Sequence, residues 1–183
     1  YPYQALVLAL RDRLMERWRQ TRYAYEEAGA RHAYYMSLEF LMGRTLSNAL
    51  LNLGLEGRPV AILSGNSIEH ALMTQAAMQA RLPAAPVSPA YSLMSQDHLK
   101  LKYLFDLVKP AVVMVQDGPT FEKALKALDL TGVTVVHVLR PCDGIKSVSF
   151  ADLSATPVTD AVEASIAKIT PDTVGKLLFT SGS

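Results

Sequence analysis

From residue 59 onward, short apolar runs alternate with stretches in which apolar residues return every three or four positions. Pro59-Val-Ala-Ile-Leu63 is apolar throughout and short, as a strand buried on both faces is. Ser64-Gly-Asn-Ser67 follows as a turn, and Asn66 or Ser67 can cap a helix from Ile68 to Ala80. Ala85-Pro-Val-Ser88 is a second short strand, and Gln96 to Val108 reads as an amphipathic helix stopped by Pro110. Ala111-Val-Val-Met-Val115 is the clearest strand. A helix over Thr120 to Leu128, a strand over Gly132 to Leu139, a helix over Asp160 to Ile169 and a strand over Thr173 to Phe179 complete the series. Apolar strands alternating with helices predict an α/β fold: a partial parallel sheet flanked by helices.

The first 56 residues predict a helical N-terminal extension. Leu6, Leu10, Leu14, Trp18 and Tyr25 fall near helical spacing with arginines between them, and Gly29 is a stop signal. Asp12 and Glu16 are placed for exposed ion pairs with arginine neighbours. Ala33 to Phe40 alternates and is rich in aromatics, as a strand would be, and Leu46 to Leu53 has helical spacing ending at Gly54. Composition shifts near residue 57. Before it every basic residue is arginine (Arg11, Arg13, Arg17, Arg19, Arg22, Arg31 and Arg44). After it lysine dominates, with only Arg58, Arg81 and Arg140. A junction between unrelated sequences would look like this, so two units are expected, 1–56 and 57–183.

The formal net charge of +1 gives no reason to invoke nucleic acid or an anionic membrane as partner. No apolar run reaches the roughly 18 residues of a membrane span. The lone cysteine, Cys142, excludes an internal disulfide and a multi-cysteine metal site, and a reducing, cytoplasmic compartment is the expectation. Cys142 sits in the loop Arg140-Pro-Cys-Asp-Gly144 without an evident base, and a structural role is expected of it. Among the histidines, His70 is expected to be structural or at the surface, since Glu69 beside it does not share its helix face. His98 is expected to be solvated on its helix, and His137 to be a satisfied strand histidine. Asp117-Gly118 reads as a turn. Ser64-Gly-Asn-Ser67 could bind an anion at a helix N-terminus or serve only as a cap.

The strongest chemical signal is the end of the sequence, Lys176-Leu-Leu-Phe-Thr-Ser-Gly-Ser183, an apolar strand that empties into a hydroxyl-and-glycine turn. Glycine lets a backbone approach phosphate oxygens, and hydroxyls and N–H groups donate to them. Thr180, Ser181, Gly182 and Ser183 are therefore the candidate nucleotide-binding residues, with no catalytic or metal-ligating residue assigned. The glycine and lysine that would finish such a loop are missing, and both ends of the sequence look cut.

Arg58-Pro-Val-Ala-Ile-Leu-Ser-Gly-Asn-Ser-Ile-Glu-His-Ala-Leu72, Pro83-Ala-Ala-Pro-Val-Ser-Pro-Ala-Tyr-Ser92 and Lys176 to Ser183 resemble the N-terminal part of an AMP-forming acyl-CoA synthetase of the adenylate-forming superfamily. The run Val87-Ser-Pro-Ala-Tyr-Ser-Leu93 is most similar to the feruloyl-CoA synthase branch. The resemblance implies ATP and Mg²⁺ as cofactors and a carboxylic acid, such as a hydroxycinnamate, as substrate. It also implies an incomplete chain without activity or tight nucleotide binding. Arg11-Asp-Arg-Leu-Met-Glu-Arg-Trp18, Tyr34 to Leu46 and Asn48 to Leu55 are instead similar to the N-terminal region of glycogen/maltodextrin phosphorylases, from which no catalytic residue carries over. Two unrelated resemblances in one sequence read as a chimera joined between Gly54 and Arg58. A non-catalytic scaffold that self-associates through uncovered apolar surface, and a phosphorylase fragment, are the alternatives.

Overall fold

The computed structural model describes residues 43–55 and 57–179, together with scattered helical positions between 13 and 28. The chain divides into two compact units, 1–36 and 37–183. In the first, positions 13, 15–17, 19–21, 23–24 and 27 are helical, as the leucine and arginine spacing predicts. Glu16 accepts from Arg19 and Gln20 on its own exposed face at 3.2 and 3.0 Å. The strand predicted over Ala33 to Phe40 lies outside the described residues.

The second unit is a five-stranded sheet, β1 (Val60–Leu63), β2 (Ala84–Pro86), β3 (Val112–Val115), β4 (Thr134–His137) and β5 (Ser147–Ser149), in the order β2-β1-β3-β4-β5. Every pairing between neighbouring strands is parallel. Its helices are α1 (Gly43–Asn52), α2 (Ile68–Gln79), α3 (Pro89–Leu93), α4 (Leu99–Val108), α5 (Glu122–Lys126), α6 (Phe150–Ser154) and α7 (Asp160–Ile166). β1 and β3 are buried at all four positions, which is why neither shows strand alternation in sequence.

Alternate residues of the strands face two cores. Val60, Ile62, Val112 and Met114 point to a layer made by α1, α2 and Phe150 of α6. Ala61, Leu63, Val113 and Val115 point to the layer of α4 and α5, where Leu101, Leu104, Phe105 and Leu125 meet them. Leu46 and Leu50, one turn apart on α1, are fully buried in the first layer. Helix α1 is tied laterally as well. Ser47 Oγ donates to Gln79 Oε1 of α2 at 2.7 Å, Arg44 pairs with Glu163 of α7 at 2.7 Å, and Thr159, the N-cap of α7, donates to Asn48 Oδ1. The structural division thus falls at 36/37, about twenty residues before the change in composition, and the helix preceding that change packs against the sheet.

Two turns follow the predicted chemistry. Gly54 closes the helical segment with φ +64°, a left-handed cap that costs a side-chain-bearing residue most. Ser67 caps α2, its hydroxyl accepting from His70 N at 3.1 Å. Three elements were not anticipated. α3 follows Ser88 with Pro89 in its first turn. β5 is only Ser-Val-Ser and exists because β4 offers it an edge to pair with. α6 starts at once behind Ser149, whose hydroxyl accepts from Ala151 N at 3.1 Å. The strand expected over Thr173 to Phe179 is reduced to one parallel bridge, Lys176 to Ala84 on the outer side of β2. Beyond that bridge Phe179 packs against the second core.

Because Leu50 is fully buried where α1 meets α2 and the sheet, Leu50→Ala is expected to cost about 2–5 kcal/mol in urea unfolding, monitored by far-ultraviolet circular dichroism. A loss below about 1 kcal/mol would mean that α1 is not part of this core.

Candidate functional site

In an open parallel sheet, ligands collect beyond the carboxyl ends of the strands, where successive connections leave in opposite directions. Here β1 passes by α2, on the first face, to β2 on one side, and β2 returns by α4, on the second face, to β3 on the other. The divergence therefore lies between β1 and β3. Its walls are Ser64-Gly-Asn-Ser67 after β1 and Gln116-Asp-Gly118 after β3.

Both walls are fastened by side chains. Gly65 N donates to Gln116 Oε1 at 3.1 Å, which ties the two strand ends together. Ser64 is buried, and its Oγ lies 2.8 Å from His70 Nδ1 in the first turn of α2. Burial lowers the pKa of His70, and the nearby positive charge of Lys176 lowers it further, against an opposing hydrogen bond to the Gly65 backbone. The ring is thereby kept neutral near pH 7. His70 thus has a structural role, and Ser64, inside the rim, is not presented to a substrate.

Asp117 is the strongest electrostatic feature of the rim. Arg140, at the end of the β4 connection, donates to it through Nε at 2.8 Å and through Nη2 at 2.7 Å. Thr120 donates to the same carboxylate from its N–H at 3.3 Å and from its hydroxyl. The Arg140 guanidinium, followed by the Thr120 hydroxyl, holds the Asp117 carboxyl well below the usual carboxylate range. Gly118 is wedged beneath the next loop, since a β-carbon there would stand 2.3 Å from Cys142 N and 2.4 Å from Pro141 C. Asp117-Gly118 is therefore a clamp between the β3 and β4 connections as well as a turn. Sequence gave one clue, a carboxylate beside a glycine at a strand end, while its partner Arg140 lies 23 residues away. Cys142 is buried behind the clamp, and burial raises its thiol pKa, in keeping with a structural role.

His98 departs from expectation. It is buried, precedes α4 with a left-handed backbone (φ +53°), and its N–H donates to Ser95 Oγ at 3.0 Å. A polar cleft of about 370 Å³ opens beside it, between the α3–α4 connection and the start of α5. His137 is satisfied as expected, its Nδ1 lying 2.9 Å from Ser147 Oγ on β5.

The nucleotide-binding candidates Thr180, Ser181, Gly182 and Ser183 lie outside the described residues. The path towards them is described. Ala84 N donates to Gly175 O at 3.0 Å and Leu177 N to Ala84 O at 2.8 Å, so the backbone runs parallel to β2 where it passes Ala84. Among the described residues no group of three or more histidine, cysteine or acidic side chains is arranged to hold a metal ion, and no helix is long and apolar enough to cross a membrane.

A doubly wound parallel sheet with a glycine- and hydroxyl-containing rim is the architecture of nucleotide-handling α/β enzymes. The family model "AMP-binding enzyme" matches residues 41–183, and the chain belongs to that family. Among solved structures it is similar to apo MatB from Rhodopseudomonas palustris, 25% identical with a TM-score of 0.56 over 81% of this chain and 28% of that one. ATP-bound MatB from the same organism is 26% identical with a TM-score of 0.57, over 77% and 26%. The fold likeness extends to fatty acyl-adenylate ligases from E. coli and L. pneumophila, with a TM-score of 0.55. A second similarity is short. Glycogen phosphorylase 2 of Dictyostelium discoideum is 48% identical over 56 residues, and human muscle glycogen phosphorylase 50% identical over 54. The chain spans 6% of the length of these phosphorylases and about a quarter of the MatB chains.

Two outcomes test the clamp. Gly118→Ala must displace backbone atoms of Pro141 and Cys142, so its thermal midpoint is expected to fall by several degrees, whereas Gly65→Ala should cost less, because its added β-carbon would meet only Gln116 Oε1 at an ordinary 3.7 Å. The stabilisation from Asp117 is complete above the ordinary carboxylate range, about pH 4, and is lost as pH falls through that range towards the lowered folded value. Urea midpoints measured from pH 7 down to pH 3 should fall more steeply in the wild type than in Asp117→Asn. Parallel curves would show that Asp117 is not held ionised by the fold.

Proposed function

We propose that residues 57–183 derive from the opening part of an AMP-forming acid–thiol ligase. In the parent reaction a carboxylate oxygen attacks the α-phosphorus of ATP, the bond to the bridging oxygen breaks, and pyrophosphate leaves. The acyl-adenylate is then captured by a thiol, that of CoA in the synthetases. Thr180, Ser181, Gly182 and Ser183 would donate hydroxyl and N–H groups to the departing phosphates. Mg²⁺, carried on the triphosphate, would neutralise charge there. One observation carries this reading: the single bridge between Lys176 and Ala84, which aims the backbone leading to Thr180 at the carboxyl rim of a parallel sheet.

The run Val87 to Leu93 supports a hydroxycinnamate such as ferulate as the acid, and the compartment we propose is the cytoplasm. By ancestry we place the division at 56/57, with phosphorylase-like sequence before it, so that α1 is a helix of one lineage packed on a sheet of another. Residues 1–183 alone are proposed to be inactive and to bind nucleotide weakly, because four loop residues offer no cation to the triphosphate and ordering them costs about 1–2 kcal/mol each. Exposed apolar residues at successive turns of α4 (Leu99, Tyr103 and Leu107, each 63–66% exposed) and Leu178 beside β2 support self-association.

The direct test has three readouts on the 183-residue chain. ATP–pyrophosphate exchange with ferulate is expected to stay at background, and exchange above it would overturn the proposed inactivity. Millimolar Mg·ATP should shift the amide resonances of residues 177–183 and leave α6 unmoved, whereas shifts confined to other surfaces would contradict the phosphate-turn assignment. In size-exclusion chromatography the 20.0 kDa chain should elute as more than a monomer. Elution as a compact monomer would remove self-association.

A further inference from the structure

Aspartate followed by glycine occurs twice in the chain, at Asp117-Gly118 and at Asp143-Gly144. The pair carries its own chemistry. The glycine N–H, unshielded by a side chain, can attack the aspartate γ-carbon and close a five-membered succinimide. That attack needs a carboxyl group free of partners, an N–H free of an acceptor, and a main chain able to turn one towards the other.

The two pairs differ on each count. The Asp117 carboxylate accepts from Arg140 Nε at 2.8 Å and Nη2 at 2.7 Å, and from Thr120 N at 3.3 Å. These donors hold it ionised, and an ionised carboxylate has no neutral hydroxyl to lose. Gly118 N already donates to Arg140 O at 2.8 Å, and the backbone of Pro141 and Cys142 closes over Gly118. Asp143 and Gly144 are both exposed. Among the described residues no donor reaches the Asp143 carboxylate and no acceptor takes the Gly144 N–H. The Asp143 carbonyl receives only a long contact from Cys142 Sγ at 3.8 Å. One bond closes the turn, from Ile145 N to Cys142 O at 3.2 Å. Gly144 is left-handed (φ +75°), with nothing within 4 Å of where a β-carbon would stand. The second pair is a loop tip with room to move.

We propose that Asp143-Gly144 is a covalent modification site, isomerised to isoaspartate in the folded chain, and that the clamp spares Asp117. Gly144 N forms a bond to Asp143 Cγ, the bond from that carbon to its hydroxyl oxygen breaks, and the amide proton leaves with the hydroxyl as water. Water then adds to the α-carbonyl carbon of the ring and breaks that carbon's bond to Gly144 N. The main chain now runs through the β-methylene, with a free α-carboxylate. Water is the sole co-reactant, lost and regained, so the mass is unchanged. The extra methylene enters one residue after Cys142, whose backbone nitrogen packs against Gly118, so the modification falls beside the β3–β4 clamp. This inference does not depend on the ligase reading.

The test ages the 183-residue chain at physiological temperature and pH, in buffer and in denaturing urea. After proteolysis, isoaspartate is located by chromatography and electron-transfer fragmentation. In buffer, isoaspartate at 143 is expected to exceed that at 117 about tenfold or more, because Asp117 reacts only after the clamp opens. In urea the two positions should become comparable. Asp143→Glu should abolish the product at its own position, since the six-membered ring closes far more slowly, and leave Asp117 unchanged. Arg140→Gln, checked by far-ultraviolet circular dichroism to be folded, should raise isoaspartate at 117 in buffer. Equal amounts at the two positions in buffer, or product at 143 in urea alone, would overturn the assignment. A folded Arg140→Gln with Asp117 still spared would overturn the protective role of the clamp.

Discussion

The pairing of β1 with β3 is the constraint on which the rest of the structure depends. The two strands run parallel in register, Val60 beside Val112 to Leu63 beside Val115, and both are buried on both faces. Eight consecutive-in-space apolar residues cannot be left exposed, so helices must cover the sheet above and below. A parallel neighbour cannot be reached by a tight hairpin, so the connection must cross over, and its right-handed sense sends α2 to one face and α4 to the other. From that follow the divergence of connections between β1 and β3, the fastening of Gly65 to Gln116 across it, and the placing of polar loops at that one rim.

Helix α1 shows how little such a sheet asks of its cover. It meets the requirement with two buried leucines one turn apart, Leu46 and Leu50, in one cluster with Ile62 and Met114. The fit has a mark of imperfection. Among the described residues, buried polar atoms without partners include Asn48 Nδ2 on α1, Thr74 Oγ1 on α2 and Ser154 Oγ on α6, the three helices of this layer. Apolar volume in the correct period gets a helix accepted, while complete polar satisfaction is a finer condition.

Strands β1 and β3 and helices α2, α4 and α7 were legible because their signals are local: unbroken apolar runs, helical spacing, and a serine or proline at a boundary. β5 was not, because Ser-Val-Ser carries no apolar run and its existence depends on the edge that β4 presents. The last strand was over-read because the apolar run Leu177-Leu-Phe179 is visible in sequence, whereas the single residue of pairing that β2 gives it is not. The same limit applies to the rim. The hydroxyls and glycines were visible, but the clamp of Asp117 by Arg140, the burial of His98, and the contact of Ser64 with His70 arise from residues brought together only by the crossovers.

The central claim is that α1 and the sheet form one cooperative unit. Native-state hydrogen exchange as a function of denaturant tests it most directly. The account predicts that the amide of Leu50 opens with the same free energy and the same denaturant dependence as those of Ile62 and Val113, through global unfolding alone. Exchange of α1 through a separate, lower-energy opening that leaves β1 and β3 protected would contradict it.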